Sequence, residues 1–289
     1  NKKDDKFQGF RPIGNNPHPF SGQYDGGNKI IKNLFIGYDI ENVGFFGYVN
    51  KTGATDVVLN KIRLENLKIK TGDAAKNIGG LVGKTNANDA NISECHVSLD
   101  SIVAGTGAQN VGGFVGYADN TATFQIASAI AAHDKSAIVV KAGTVGGFAG
   151  QMESNNGTMQ KLYTNLNVVE PEGGNVATMG GFVGAINGGL TTVLQNANSL
   201  GDVNFRTAAA IVGAFVGDVD GSARIQAIYT AGKVQDISRA EPELKTDVGF
   251  GGNFAGGWLS QNYYQKKQGD KEITSPNFDA AGKCTALDK

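Results

Sequence analysis

The segment from Gly79 to Thr85, Gly-Gly-Leu-Val-Gly-Lys-Thr, ends like a loop that binds nucleotide phosphates. Such a loop needs a further glycine five positions before the glycine that precedes the lysine, and that position holds Ile78. Later copies of the segment carry other residues in place of Lys84, namely Tyr117, Gln151, Ala185 and Asp218. We therefore expect no nucleotide site here and interpret the lysine as incidental.

Two acidic segments could hold a cation. Asp218-Val219-Asp220-Gly221 begins like a calcium loop, but the twelfth position, which should be a glutamate, is Tyr229. Asp25-Gly26-Gly27-Asn28 has the composition of a tight turn. The sequence predicts plain turns at both places.

The histidines and carboxylates do not form a catalytic pattern. His18, His96 and His133 lie far apart, with no histidine pair at zinc-ligand spacing. A glycosidase or lyase needs acidic groups that converge on one face. The acidic residues are instead spread over predicted turns, where charge is usually solvated: Glu94, Asp119, Glu153, Glu170, Glu172, Glu241 and Glu243. We predict no catalytic residue, no metal site and no cofactor.

The composition of the chain predicts that strands and turns carry these residues. The chain has 289 residues, of which 42 are glycine, about twice the usual share. Its 26 basic and 27 acidic residues nearly balance, which argues against a nucleic-acid partner. The sequence contains no apolar run of membrane-spanning length, so we expect no membrane insertion.

One short motif recurs along the chain. It reads Val-Gly-Gly-Phe-Val-Gly at 111–116, and variants of it occur throughout. The closing glycines of the seven copies are separated by 36, 33, 34, 34, 33 and 39 residues: Gly47, Gly83, Gly116, Gly150, Gly184, Gly217 and Gly256. A fixed period of this length indicates a solenoid or a propeller.

Between the motifs, apolar and polar residues alternate with the period of a strand. Ile62, Leu64, Leu67 and Ile69 are interleaved with charged residues, and Ile225, Ala227 and Tyr229 are expected to share one face. About three short strands and their corners use up one period. A propeller blade needs about 40 to 50 residues and tight hairpins. We therefore predict an all-β fold, a right-handed parallel β-helix with one coil per repeat.

Stacking explains why the same residues recur. In a parallel coil each side chain lies on its copy one coil away, about 4.8 Å distant. We expect one continuous ladder of the large motif residues: Phe46, Leu81, Phe114, Phe148, Phe182, Phe215 and Phe254. A kink at the glycine pair is needed to turn both Phe114 and the neighbouring valines inward.

Two cysteines make up the thiol content. Cys95 alternates with the inward Val97 and Leu99, whereas Cys284 lies about five coils away, roughly 25 Å along the axis. Because a disulfide needs Cα atoms within about 7 Å, we predict two free thiols, with Cys95 buried and inert.

The motif and the run Phe10-Arg11-Pro12-Ile13-Gly14, followed by Phe20-Ser21-Gly22-Gln23-Tyr24-Asp25-Gly26-Gly27-Asn28 and Ile31-Lys32-Asn33-Leu34, resemble the GLUG repeat and the unit that precedes it. The resemblance covers residues 7–256. It weakens in the last two units, where Ala214 and Asn253 stand at the motif position that Gly113 occupies. It implies a large secreted or surface protein of bacteria, such as a haemagglutinin-like adhesin; related repeats flank some IgA proteases.

These observations lead to one set of expectations. The chain is one β-helical domain and a fragment of a larger protein, with an N-terminal capping or first-coil region at 1–42, repeats at 43–256 and a tail or cap at 257–289. We expect a non-catalytic adhesin segment at the bacterial surface that binds a host-cell protein, a glycan or itself. A carbohydrate-active enzyme and a passive spacer are the alternatives. Excursions at 170–174 and 235–247 are candidate binding loops, but we favour the interpretation that they are loops without a ligand.

Overall fold

The computed structural model describes residues 8–87, 90–119, 122–153, 158–187, 193–208, 210–220, 223–255, 258–268, 270–275 and 284–287. These residues contain strands and turns and no helix. The strands stack as a parallel β-solenoid of about seven turns with a spacing of about 33 residues. The predicted all-β parallel β-helix is thus confirmed.

Sheet A is the largest of three sheets, has 19 strands and is parallel except for one antiparallel pair. They are β1 (Gln23–Asp25), β2 (Ile30–Lys32), β3 (Phe35–Ile36), β6 (Val58–Asn60), β7 (Arg63–Lys70), β10 (Asn91–Ala104), β13 (Thr123–Ala131), β14 (Ala137–Val140), β17 (Thr158–Thr164), β18 (Asn167–Val169), β21 (Val193–Ser199), β22 (Val203–Phe205), β25 (Arg224–Gln226), β26 (Tyr229–Thr230), β27 (Val234–Asp236), β28 (Glu243–Leu244), β30 (Trp258–Ser260), β31 (Asn262–Gln265) and β34 (Cys284–Leu287).

The other two large sheets flank the repeated motif. Sheet B comprises β5 (Phe46–Val49), β9 (Val82–Thr85), β12 (Val115–Ala118), β16 (Ala149–Glu153), β20 (Val183–Asn187), β24 (Val216–Val219) and β29 (Gly251–Phe254). Sheet C comprises β4 (Asn42–Val43), β8 (Asn77–Gly79), β11 (Asn110–Gly112), β15 (Ala142–Gly146), β19 (Asn175–Gly180) and β23 (Ile211–Gly213). A small antiparallel pair joins β32 (Lys267–Gln268) to β33 (Lys271–Glu272).

Each coil passes through sheet A, then sheet C, then sheet B. The coil at 123–153 has four strands, β13 to β16, where the sequence suggested about three. Between β15 and β16 the chain bends at Gly147 and Phe148, so that Val145, Phe148 and Ala149 are all buried. The kink that was needed to turn both faces of the motif inward is therefore present.

A second bend lies inside sheet A and breaks the strict alternation of the strands. One residue per coil there has a left-handed backbone with φ of 52–57°, and none of the seven is glycine: Lys61, Glu94, Ile126, Lys161, Asn196, Ala227 and Gln261. The expectation that Ile225, Ala227 and Tyr229 share a face is wrong for this reason. After the bend at Ala227 it is Ile228 that is buried.

The core is built from vertical columns of like residues. Val43, Ile78, Val111, Val145, Met179 and Val212 pair in register along sheet C, and all are buried. The Phe114, Phe148, Phe182 and Phe215 rings stack with centroids 4.8–4.9 Å apart. Both columns bury apolar area continuously along the axis.

The two ends of the aromatic ladder differ from expectation. Phe46 pairs with Val82, so Phe45 occupies the position of Leu81. At the other end Phe254 pairs with Val219, and it is Phe250 that stacks on Phe215. The last motif copy is therefore Val248-Gly249-Phe250-Gly251-Gly252.

This correction restores the period. The last closing glycine is Gly252, 35 residues after Gly217, and Gly256 lies outside the described residues. A Cβ atom on each closing glycine would lie only 2.5–2.8 Å from the carbonyl oxygen of the equivalent glycine one coil earlier, starting from Gly14. Real Cβ atoms are not found so close to backbone, which explains why glycine recurs here.

The regions flanking the repeats continue the same stack. The β1, β2 and β3 strands pair in parallel with β6 and β7, so residues 23–36 form part of a first coil. At the other end β34 pairs in parallel with β31 and adds a further rung to sheet A. The boundaries proposed from the sequence remain predictions.

Candidate functional site

The segment that resembles a phosphate loop is two strands of the solenoid. Lys84 pairs with Tyr48 and Tyr117 in neighbouring coils, and its ammonium lies 5.9 and 5.1 Å from the two ring centroids. The register places Gln151, Ala185 and Asp218 in the same column, as the alignment of the motif copies predicted. Cation–π contact gives Lys84 a structural role on the outer face of sheet B.

The two acidic segments differ from each other. The turn at Asp25–Asn28 is confirmed, because the Gly27 amide donates to the Asp25 carboxylate at 2.8 Å. In the other segment Asp218 and Val219 belong to β24, so the predicted turn is wrong for these two residues. Asn253 donates to the Asp218 carboxylate at 2.7 Å, and Gly221 lies outside the described residues. Within the described ranges no three acidic, histidine or cysteine side chains gather as metal ligands would.

The histidines lie in different surroundings. His18 is exposed in the first coil, and its backbone N–H donates to the Asn15 side chain at 3.1 Å. The His96 ring is within 2.9 Å of the Ser128 hydroxyl, and burial lowers its pKa. His133 contacts Asp100 at 2.9 Å.

The Asp100 carboxylate lies between two cationic groups. Lys68 is 3.3 Å from it on the neighbouring coil, and the His133 ring contacts it from the other side. The hydrogen bond from His133, together with Lys68, lowers the pKa of Asp100. Because the Lys68 and His133 side chains are about half exposed to solvent, the contacts contribute little to stability.

Glu170 is not a solvated loop residue as expected. Its side chain is fully buried. The two carboxylate oxygens accept hydrogen bonds from the backbone N–H groups of Val176 at 3.0 Å, Arg206 at 2.7 Å and Thr207 at 2.8 Å, and from the Thr207 hydroxyl. Burial alone would raise the pKa of Glu170, but these donors outweigh it and lower the pKa. The carboxylate thus ties the 170–174 excursion to the next coil.

Glu153 has partners on the outer face of sheet B. It accepts hydrogen bonds from the Tyr117 hydroxyl and, at 2.8 Å, from the Gln151 side chain. Burial, together with the bond to Glu153, raises the pKa of Tyr117. Glu243 is paired with Arg239 at 3.1 Å. The carboxylates singled out from the sequence thus include three that are held in separate structural contacts.

The second excursion forms a hairpin on the edge of sheet A. β28 pairs antiparallel with β27, and the Arg206 guanidinium donates to the Ile237 carbonyl at 2.6 Å. This hairpin leaves a cavity of about 450 Å³ between itself and β23. Its walls combine apolar residues with a few polar groups: Phe205, Ala208, Ala210, Ile211, Val212, Val248, Gly252, Asp236, Lys245 and Asn253.

A second, more polar depression of about 390 Å³ lies beside the turn at 132–136. It is lined by His133, Asp134, Ser136 and the amides Asn165 and Asn167 of the next coil. The oxygens of these amides already accept backbone hydrogen bonds, at 2.8 Å from Ala131 and 2.9 Å from Asp202. The amides therefore act first as links between coils.

Neither Cys95 nor Cys284 is in a disulfide, as predicted. Cys95 is fully buried in β10, and burial raises the pKa of its thiol to about 12. A thiol with so high a pKa is almost entirely protonated at neutral pH and is a poor nucleophile.

The described residues include no helix long and apolar enough to cross a membrane. Comparison of the chain with protein-family models, with curated proteins and with solved structures gave no match. The resemblance to the GLUG repeat therefore remains an expectation that depends on the motif residues alone.

Proposed function

We propose that this chain is a non-catalytic segment of a large secreted or cell-surface bacterial adhesin, a rigid rod that presents binding loops to a host-cell protein or glycan. The supporting observation is the set of unbroken columns. Valine, phenylalanine and glycine positions repeat in every regular coil. Most of the repeated pattern within the chain therefore serves the packing of one coil on the next.

Side-chain hydrogen bonds between coils add to this rigidity. Asn77 donates to Asn42 and Asn110 donates to Asn77, both at 2.8 Å in the buried interior. On the outer face Gln195 donates to Gln160 at 3.2 Å and Gln226 to Gln195 at 2.6 Å. Such amide ladders favour one register and resist shear between coils. A rod of this kind suits a protein that extends from a surface.

The test is a binding screen of the purified chain on host cells and on a glycan panel, with a turnover assay on the same polysaccharides. We expect saturable binding without cleavage. Cleavage of any polysaccharide would refute the adhesin in favour of the enzyme. Absence of binding to every surface would favour the passive spacer.

A further inference from the structure

In the part of the chain that the structure describes, sheet C ends one coil earlier than the sheets beside it. In the last coil β29 pairs with β24, and β30 and β31 pair with β25 and β26. Within the described residues no strand pairs with β23 on its other side. The Ala210–Val212 segment, which we name the open edge, faces the 450 Å³ cavity instead.

The last coil departs from the stack at a polar residue, next to a segment that hydrogen-bonds to Thr274 through the Thr246 carbonyl and the Gly249 amide. The register of Val216 with Gly251 places Asp247 one coil above Val212, at the next position of the apolar column. An ionised carboxylate is too costly to bury there without partners. Asp247 is exposed. Just before it, the chain pairs with the start of the excursion, where the Lys245 backbone N–H donates to the Val234 carbonyl at 2.8 Å.

The position above Val212 calls for a particular type of side chain, because the six residues of the column show which types occupy it. The column holds only Val, Ile or Met, each in an extended parallel strand. Phe205 and Val212 form a buried apolar floor, while Asp236 and Lys245 line the cavity with one charge of each sign. An open sheet edge beside an apolar cavity is the arrangement in which proteins bind extended peptides by strand addition.

We propose that the open edge binds an extended peptide segment of a partner protein, which adds to sheet C as a parallel strand and places a Val-sized side chain above Val212. This proposal does not depend on the adhesin proposal, because binding to the edge can be measured with no cell or glycan present.

The chain itself supplies the probe. The acetylated and amidated peptide of residues 142–146 has the sequence of β15, Ala-Gly-Thr-Val-Gly, and matches a natural rung of sheet C. Its control is the same peptide with Val145→Asp, which reproduces the residue that fails to fill the column. We expect calorimetry or fluorescence titration with the intact chain to show binding of the first peptide, weakened by more than about tenfold in the second.

Two matched variants locate the binding. Ala208 is exposed at the cavity, so Ala208→Arg should block the edge without affecting the fold; Ala132 is exposed beside the other depression, and Ala132→Arg is its control. We expect loss of binding in A208R only. Hydrogen exchange should slow in residues 210–213 when the peptide is bound.

Four outcomes would overturn the proposal. Equal binding of the two peptides would show that the side chain placed above Val212 does not affect binding. Equal binding to A208R and A132R would place the peptide elsewhere. No binding to the intact chain would rule out a partner strand. Binding only after residues 276–283 are removed would also rule it out, because it would assign the edge to that segment, which lies outside the described residues.

Discussion

The regular coils at 91–187 and the last coil at 234–275 are built from the same motif but pack differently. In the regular coils successive phenylalanine rings are 4.8–4.9 Å apart and within 4–8° of parallel. The last step, from Phe215 to Phe250, is 5.3 Å with a 24° tilt. The last coil departs from the stack at Asp247, the polar residue that the register places in the apolar column, while its neighbours in sheets A and B continue to pair.

The aromatic ladder offers the sharpest test of this comparison. Phe148 and Phe250 are fully buried, whereas Phe254 is partly exposed in β29. We expect Phe148→Ala to lower the free energy of unfolding by about 3–5 kcal/mol, because it leaves a cavity between two stacked rings. Phe250→Ala should be costly as well, since it removes the terminal rung.

Phe254→Ala is the control in that experiment and should cost less than either of the others, as measured by chemical denaturation. A larger loss at Phe254 than at Phe250 would reverse the corrected assignment of the last motif. It would also mean that the last coil follows the motif as first read from the sequence.

The glycine column gives the next largest effect. A Cβ atom at Gly150 would lie 2.5 Å from the Val111 nitrogen and 2.6 Å from the Gly116 oxygen, both fixed backbone atoms. We expect Gly150→Ala to destabilise the chain by about 3 kcal/mol. Gly53→Ala is the control, because nothing lies within 4 Å of that position. Equal melting temperatures for the two variants would contradict close packing between coils.

The sequence predicted the regular region well because its columns depend only on residue type and period. The inward Cys95, the kink at the glycine pair and the position of Lys84 in its column all follow from that logic. The errors at Phe46 and Phe254 have a common cause. The first motif is one residue shorter than the others, and in the last motif the glycines occupy different positions. Aligning the motif copies by residue type therefore gave a different register from the one in which the strands pair.

Other features had no signal in the sequence. The bend at Ala227 carries an ordinary residue in a left-handed conformation, so periodicity alone misplaced its neighbours. Glu170 looked like a loop carboxylate because its donors are backbone amides 6 to 37 residues away, which no motif reveals. The cavity at the open edge depends on where a hairpin folds back, and only the three-dimensional register shows that.

Glu170 shows that turns of the regular region also join the coils, and its effect depends on pH. Its pKa is lower in the folded chain than the usual 4.5. The stability it contributes is therefore fully present above about pH 4.5 and is lost as the pH falls through the folded-state value. We expect Glu170→Gln to cost about 2 kcal/mol at pH 7, because one amide N–H group would face backbone donors.

Thermal unfolding between pH 3 and 7 measures this effect. The variant should show a weaker loss of stability on acidification than the native chain. Glu172→Gln, at an exposed position of the same excursion, should leave the pH profile unchanged. Parallel profiles for the native chain and E170Q would show that the buried carboxylate does not link the coils.

The left-handed corner of sheet A is the feature that the regular coils and the last coil share, from Lys61 to Gln261. A β-branched residue is strained there, whereas asparagine tolerates the conformation. Ile126 is 43% exposed, so Ile126→Asn removes little packing and should stabilise the chain by about 1 kcal/mol. The reverse change at the equivalent corner, Asn196→Ile, should destabilise it by a similar amount. Denaturant midpoints measure both; if both changes shift the midpoint in the same direction, side-chain packing rather than backbone conformation sets the residue preference at this corner.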